Sequence, residues 1–133
     1  MAKILFVEDE LKANHFLIDA LREAKHEVDI AETRKDAKEK LEKKQYDLIV
    51  LDIMLPDEKD TIPLIKRGIY LLKEIRRGDF PHIPQNIPII IISAVPENQI
   101  ENQIKEEIEI LGKPFTAEKF IEKVANLLEE RDG

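Results

Sequence analysis

Leu48-Ile49-Val50-Leu51 is an unbroken aliphatic run that stops at Asp52, and its reading decides the fold. Four consecutive apolar residues leave no polar face. That is the pattern of a strand covered on both sides, as in a parallel sheet between helices. Three other runs follow the same rule. Ile4-Leu5-Phe6-Val7 runs into Glu8-Asp9-Glu10, Ile89-Ile90-Ile91-Ile92 into Ser93, and Ile108-Glu109-Ile110-Leu111 through Gly112 into Lys113-Pro114. If the four are parallel neighbours, their polar ends emerge at one edge. In open α/β sheets that carboxyl edge binds ligands, at the point where the strand order reverses.

Helical patterns separate the runs, and alternation of this kind implies βαβ units. Ala13, Phe16, Leu17, Ala20, Leu21 and Ala24 recur at helical spacing and predict one apolar stripe. Glu27-Val28-Asp29-Ile30-Ala31 alternates as a half-exposed strand. Thr33 is placed to cap a second helix whose inner face has only Ala37 and Leu41. A third helix passes through Gly68, Leu71, Leu72 and Ile75 and ends near Arg77-Gly78. Phe80 to Pro88 is a proline-punctuated loop. Glu97 to Glu106 has only Ile100 and Ile104 to bury, which predicts a weakly anchored helix. Thr116 caps the last helix, with Phe120, Ile121, Val124, Leu127 and Leu128 on one face. The expected architecture is α/β and doubly wound, five parallel strands alternating with five helices in a single domain over 1–133.

The 133 residues suffice for one domain with a real core. A net charge of −7 opposes a large nucleic-acid footprint, which needs a basic face to displace counterions. With no cysteine, disulfides, thiol chemistry and cysteine-based zinc sites are excluded. Ala2-Lys3 leads straight into a strand-like run, so no signal peptide is expected, and no apolar stretch approaches the ~20 residues that span a bilayer. A cytoplasmic protein without membrane insertion is the expectation.

Phosphoryl transfer needs a nucleophile, a neutralising metal and a positive group on the transferred oxygens. Asp52 at a strand end is the natural nucleophile, since carboxylates form aspartyl phosphates. Glu8 and Asp9 offer an open, oxygen-only site of the kind Mg2+ prefers. Lys113 can act as a point charge on a phosphoryl oxygen, and Ser93 can donate a hydrogen bond to another. Each residue alone reads more simply as a solvated loop or turn residue. Their joint position, at corresponding ends of four elements, is what carries the chemistry. His15, His26 and His82 share no metal-ligand spacing and read as surface residues. There is no glycine-rich phosphate loop.

Phe6-Val7-Glu8-Asp9-Glu10, Asp52-Ile53-Met54-Leu55-Pro56, Ser93-Ala94 and Lys113-Pro114-Phe115, in this order, resemble the receiver domain of two-component response regulators. The resemblance covers essentially the whole chain. It implies a flavodoxin-like (βα)5 fold with strand order 2-1-3-4-5. It further implies that Asp52 is the phospho-acceptor, loaded from a sensor histidine kinase or phosphotransfer protein, and that Asp9 ligates Mg2+. Glu8 would assist through water, and the Met54 carbonyl would complete the protein ligands. Ser93 and Lys113 would contact the phosphoryl oxygens, Ala94 would leave them room, and the Lys113–Pro114 peptide would be cis. The implied protein catalyses only its own phosphorylation and dephosphorylation. It signals to a downstream effector protein, binds no nucleic acid directly, and is a monomer or a phosphorylation-dependent dimer. With nothing after the last helix, no output domain is expected.

Three features depart from the family pattern. Ile110 stands three residues before the lysine, where an aromatic residue is common. Lys105-Glu106-Glu107 replaces the usual Gly-Ala pair before the last strand. The segment after Asp52 is roughly eight residues longer than usual, an insertion around 57–67 that contains Pro63, Lys66 and Arg67. A role in partner specificity is the expectation for it. Among rivals, a haloacid-dehalogenase-type phosphotransferase needs Asp-x-Asp after the first strand, and a flavodoxin needs a hydroxyl- and glycine-rich loop there. Glu8-Asp9-Glu10 supplies neither. The remaining alternative is a receiver-like interaction module that is never phosphorylated.

Overall fold

The structure, a computed structural model, describes residues 2–8, 11–52, 64–93, 108–112 and 115–132. The apolar runs become β1 (Lys3–Val7), β3 (Leu48–Asp52), β4 (Ile89–Ser93) and β5 (Glu109–Gly112), with β2 (Glu27–Ala31) beside β1. All pairings are parallel, and the strand order is β2-β1-β3-β4-β5. This is the doubly wound order expected from the sequence, reversing direction between β1 and β3. Every residue of β3 and β4 is buried, as the absence of a polar face requires.

Four helices are described: α1 (Leu11–Glu23), α2 (Arg34–Lys43), α3 (Leu64–Arg77) and α4 (Ala117–Asp132). They divide the core into two layers. On one face Ala37 and Leu41 of α2 and Leu71, Leu72 and Ile75 of α3 cover the odd-numbered residues of β3 and β4. On the other, Leu17, Ile18 and Leu21 of α1 meet Phe120 and Val124 of α4 over the even-numbered ones. The Phe6 and Phe120 rings lie 6.3 Å apart and tilted, within the range of favourable aromatic pairs. The helix expected over 97–106, the insertion residues before Leu64 and the Lys113–Pro114 peptide lie outside the described residues. The last four residues of the expected insertion, 64–67, form the first turn of α3.

Both predicted caps form. Thr33 Oγ1 accepts the Asp36 amide at 3.0 Å and Thr116 Oγ1 accepts the Lys119 amide at 3.1 Å. Gly78, at φ +86, closes α3, and a Cβ there would collide with the Gln85 side chain that caps the Arg77 carbonyl. The loop from Phe80 to Pro88 is pinned rather than loose. Phe80, Ile83 and Ile87 are buried, and Arg76 Nη1 donates to the Gln85 and Ile87 carbonyls.

The inner face of α1 differs from the sequence expectation. Asn14, Leu17, Ile18 and Leu21 form the buried row, while Phe16 and Ala24 are exposed. Counting apolar residues misplaces the stripe because its first member is polar. Asn14 is tolerated there since Glu8 beneath it accepts its hydrogen bond, so the row turns by about one residue. The helices α2 and α3 are tied by Glu74, which is 8% exposed and accepts from Arg34 Nη2 at 2.5 Å and Lys38 Nζ at 2.9 Å.

His26 is more than a surface residue. It is half-buried, and its Nδ1 accepts the Ala2 backbone N–H at 3.2 Å, holding the start of β1. Burial, and secondarily the positive chain terminus, lower its pKa from 6.5. A depressed histidine pKa means the unfolded chain binds the proton more readily. The associated stability is therefore complete above pH 6.5 and declines as pH falls through that value toward the folded pKa. Urea midpoints between pH 8 and 5 are expected to fall on the acid side, with a shallower fall in His26→Asn, which does not titrate. Identical slopes in the two proteins would remove His26 from the account.

Candidate phosphoryl site

β1, β3 and β4 end together because they share one register. Val7 is level with Leu51, so Glu8 follows beside Asp52. Asp52 is level with Ile92, and Ser93 follows it; Ser93 is in turn level with Gly112, the residue before Lys113. The expectation that the polar ends share an edge thus holds for the three that are described. Asp9, Met54 and Lys113 lie outside the described residues. Strand alternation puts Glu8 in phase with Ile4 and Phe6 and Asp52 in phase with Leu48 and Val50, both on the α1–α4 face. Ser93 is in phase with Ile89 and Ile91, on the other face of the same edge.

These groups are not solvated loop residues. Glu8 is 0% exposed, Asp52 5% and Ser93 1%. A carboxylate at that depth is sustained only by hydrogen bonds, paired charge or a cation, because its desolvation otherwise drives it to neutrality. Part of this support is visible at Glu8. Its amide donates to the Ala31 carbonyl at 2.8 Å, extending the β1–β2 ladder, and its Oε2 accepts from Asn14 Nδ2 at 2.9 Å. The Asn14 amide thereby fixes one carboxylate oxygen. Sequence reasoning missed Asn14; the available signal was a polar residue at i, followed by apolar residues at i+3, i+4 and i+7.

The donor chemistry fits a hard divalent cation. Two buried carboxylates on adjacent strands offer oxygen only, and Mg2+ characteristically takes one or two carboxylates and keeps the rest of its shell for water and phosphate. Among the described residues no trio of His, Asp or Glu forms a closed metal site. Two carboxylates would leave such a cation open to further ligands, with the Ser93 hydroxyl at the same edge. Among the described residues, no helix is long and apolar enough to cross a membrane.

Ile110 packs, half-buried, against the α2–α3 core layer, where an aliphatic side chain is at home. Removing the donor in Asn14→Ala is expected to lower the unfolding free energy by roughly 1–2 kcal/mol, the cost of leaving a buried carboxylate oxygen short of a hydrogen bond. Urea denaturation at neutral pH measures it, and an unchanged midpoint would show that the Asn14–Glu8 contact contributes nothing.

The comparisons with known proteins agree with this geometry. Residues 4–125 match the response regulator receiver domain family. Response regulator ArlR of Staphylococcus saprophyticus is 31% identical over 130 residues, covering 96% of this chain and 53% of ArlR. The chain spans about half the length of the curated relatives it matches. The receiver domain of Francisella response regulator 1452 superposes with a TM-score of 0.78 at 29% identity, over 98% of this chain and 99% of that one. The receiver domain of sensor histidine kinase PA1611 from Pseudomonas aeruginosa, solved with magnesium in its active-site cleft, has the same fold. Its TM-score is 0.73 at 24% identity, covering 96% of this chain and 98% of that one. With the family matched over nearly its full length and the family's strand order built, this chain belongs to the response regulator receiver domains of two-component systems.

Proposed function

We propose that the protein is a phosphorylation-driven switch in which Asp52 receives a phosphoryl group from a histidine of a sensor kinase or phosphotransfer protein. The observation that carries this reading is the burial of Asp52 beside Glu8 and Ser93 at one sheet edge. An Asp52 oxygen attacks phosphorus, a P–O bond forms, and the P–N bond to the donor imidazole breaks, the imidazole retaining the bonding pair and taking a proton. Asp52 exchanges one negative charge for a group of nearly two, with three acceptor oxygens. Bound Mg2+ would neutralise the phosphoryl oxygens during transfer, as in phosphoryl transfer generally.

This chain's own residues divide the remaining work. Asp9 and Asp52 would hold the cation, with Glu8 assisting through water and the Met54 carbonyl completing the protein ligands. Asn14 positions Glu8. Ser93 donates to one phosphoryl oxygen and Lys113 places its charge on another. The magnesium in the PA1611 receiver's active-site cleft supports the metal assignment. The protein acts on no substrate other than its own aspartate and the phosphodonor. Its output is a change in protein–protein affinity, with a coupling of ~1–3 kcal/mol as is usual for such switches. Kinase, effector and any dimer follow from the receiver family, and a cytoplasmic setting suits that exchange. The insertion around 57–67 contributes to partner choice.

Incubation with acetyl phosphate and Mg2+, read by intact mass, is expected to give a hydroxylamine-labile adduct of one phosphoryl group, not formed when Mg2+ is chelated beforehand and absent in Asp52→Asn. No adduct under any donor would instead identify a receiver-like module that acts by binding alone.

A further inference from the structure

The two helical layers carry opposite charge. Together α2 and α3 contain ten basic residues and four acidic ones, whereas α1 and α4 contain five basic and seven acidic. In a chain of net charge −7, the described helix pair α2–α3 is thus locally cationic. The only acid of α3, Glu74, is buried against α2 and shared by Arg34 and Lys38, which leaves the seam between the helices with a surplus of positive charge. Tyr70 lies one turn before Glu74 on the same row of α3 and is 39% exposed, one of two large hydrophobic side chains exposed among the described residues. Lys73 beside it is exposed and has no ion-pair partner among the described residues.

We propose that the α2–α3 seam, centred on Tyr70 with Lys38 and Lys73, docks an acidic segment of a partner protein. An exposed tyrosine on a lysine-bearing helix has the composition of an interface anchor: a flat apolar body with a polar tip, with Lys73 one turn along to draw carboxylates. Charge complementarity selects a short acidic segment over an extended nucleic acid. The latter must meet many phosphates at once, while Asp36, Glu39 and Glu42 interleave with the lysines of α2 and the molecule as a whole repels polyanions. The interleaved acids likewise break the contiguous basic cluster that an anionic bilayer requires. Tyr70, Lys38 and Lys73 are not among the groups assigned to the phosphoryl centre, so this docking can be tested apart from phosphoryl chemistry at Asp52.

The test uses the full chain and a fluorescein-labelled 16-residue peptide in which Glu alternates with Leu and Phe, with its Gln counterpart as control. Amide shift mapping is expected to localise the Glu peptide to residues of α2 and α3. In anisotropy titrations Lys73→Glu and Tyr70→Ser should each weaken it about tenfold or more, while circular dichroism confirms that both variants, being surface changes, remain folded. Equal binding of the Gln peptide, shifts centred on α1 or α4, or tighter binding of a 20-nucleotide single strand or of phosphatidylserine vesicles would each overturn the proposal. Phosphorylation of both variants by acetyl phosphate should proceed as in the unmodified protein, which separates failure of the docking surface from failure of the Asp52 assignment.

Discussion

Beyond the exposed Lys3 that opens β1, the strands β1, β3 and β4 have water on neither face, and that constraint organises everything else in the molecule. A charge inside any of them would have to be desolvated between two helical layers, at a cost of several kcal/mol. Polar chemistry is therefore pushed to the ends of the strands. Since the strands are parallel and in register, the ends coincide. Glu8, Asp52 and Ser93 are where the sheet permits polar groups and also where it still shields them from bulk water. The low exposure that makes the carboxylates costly also strengthens every electrostatic interaction they make, which a phosphoryl-transfer site requires.

The parts of this arrangement that depend on long, uninterrupted apolar runs were legible in the sequence. Leu48 to Leu51 and Ile89 to Ile92 could be little other than buried parallel strands, and their terminal residues followed. Caps at Thr33 and Thr116 were equally legible, because a hydroxyl before a helical pattern has few other uses. What escaped were residues whose role depends on a distant partner. Asn14 reads as a break in an apolar stripe until Glu8 is placed under it, and Phe16 reads as core until the helix is seen to turn. His26 reads as a surface residue, yet the start of β1 leans on its ring. Periodicity reports which side of a helix is apolar on average, but a single buried hydrogen bond can rotate the answer by a residue.

Charge organises a second level. The sheet separates a cationic α2–α3 layer from a mildly anionic α1–α4 layer, and Glu74 draws Arg34 and Lys38 into one buried cluster at the seam of the former. Breaking such a cluster is expensive because it strands a partly buried cation, so α2 and α3 behave as one unit. The insertion after Asp52 ends in the first turn of that same unit.

The central claim is spatial: that the ends of β1, β3 and β4 form one cation-binding centre. Paramagnetic broadening by substoichiometric Mn2+, read on backbone amides, tests it most directly. The account predicts that signals of Glu8, Asp52 and Ser93 broaden first and together, that excess Mg2+ restores them, and that Asp52→Asn abolishes the effect. Broadening centred on the acidic residues of α4, or spread over the surface without competition from Mg2+, would contradict it.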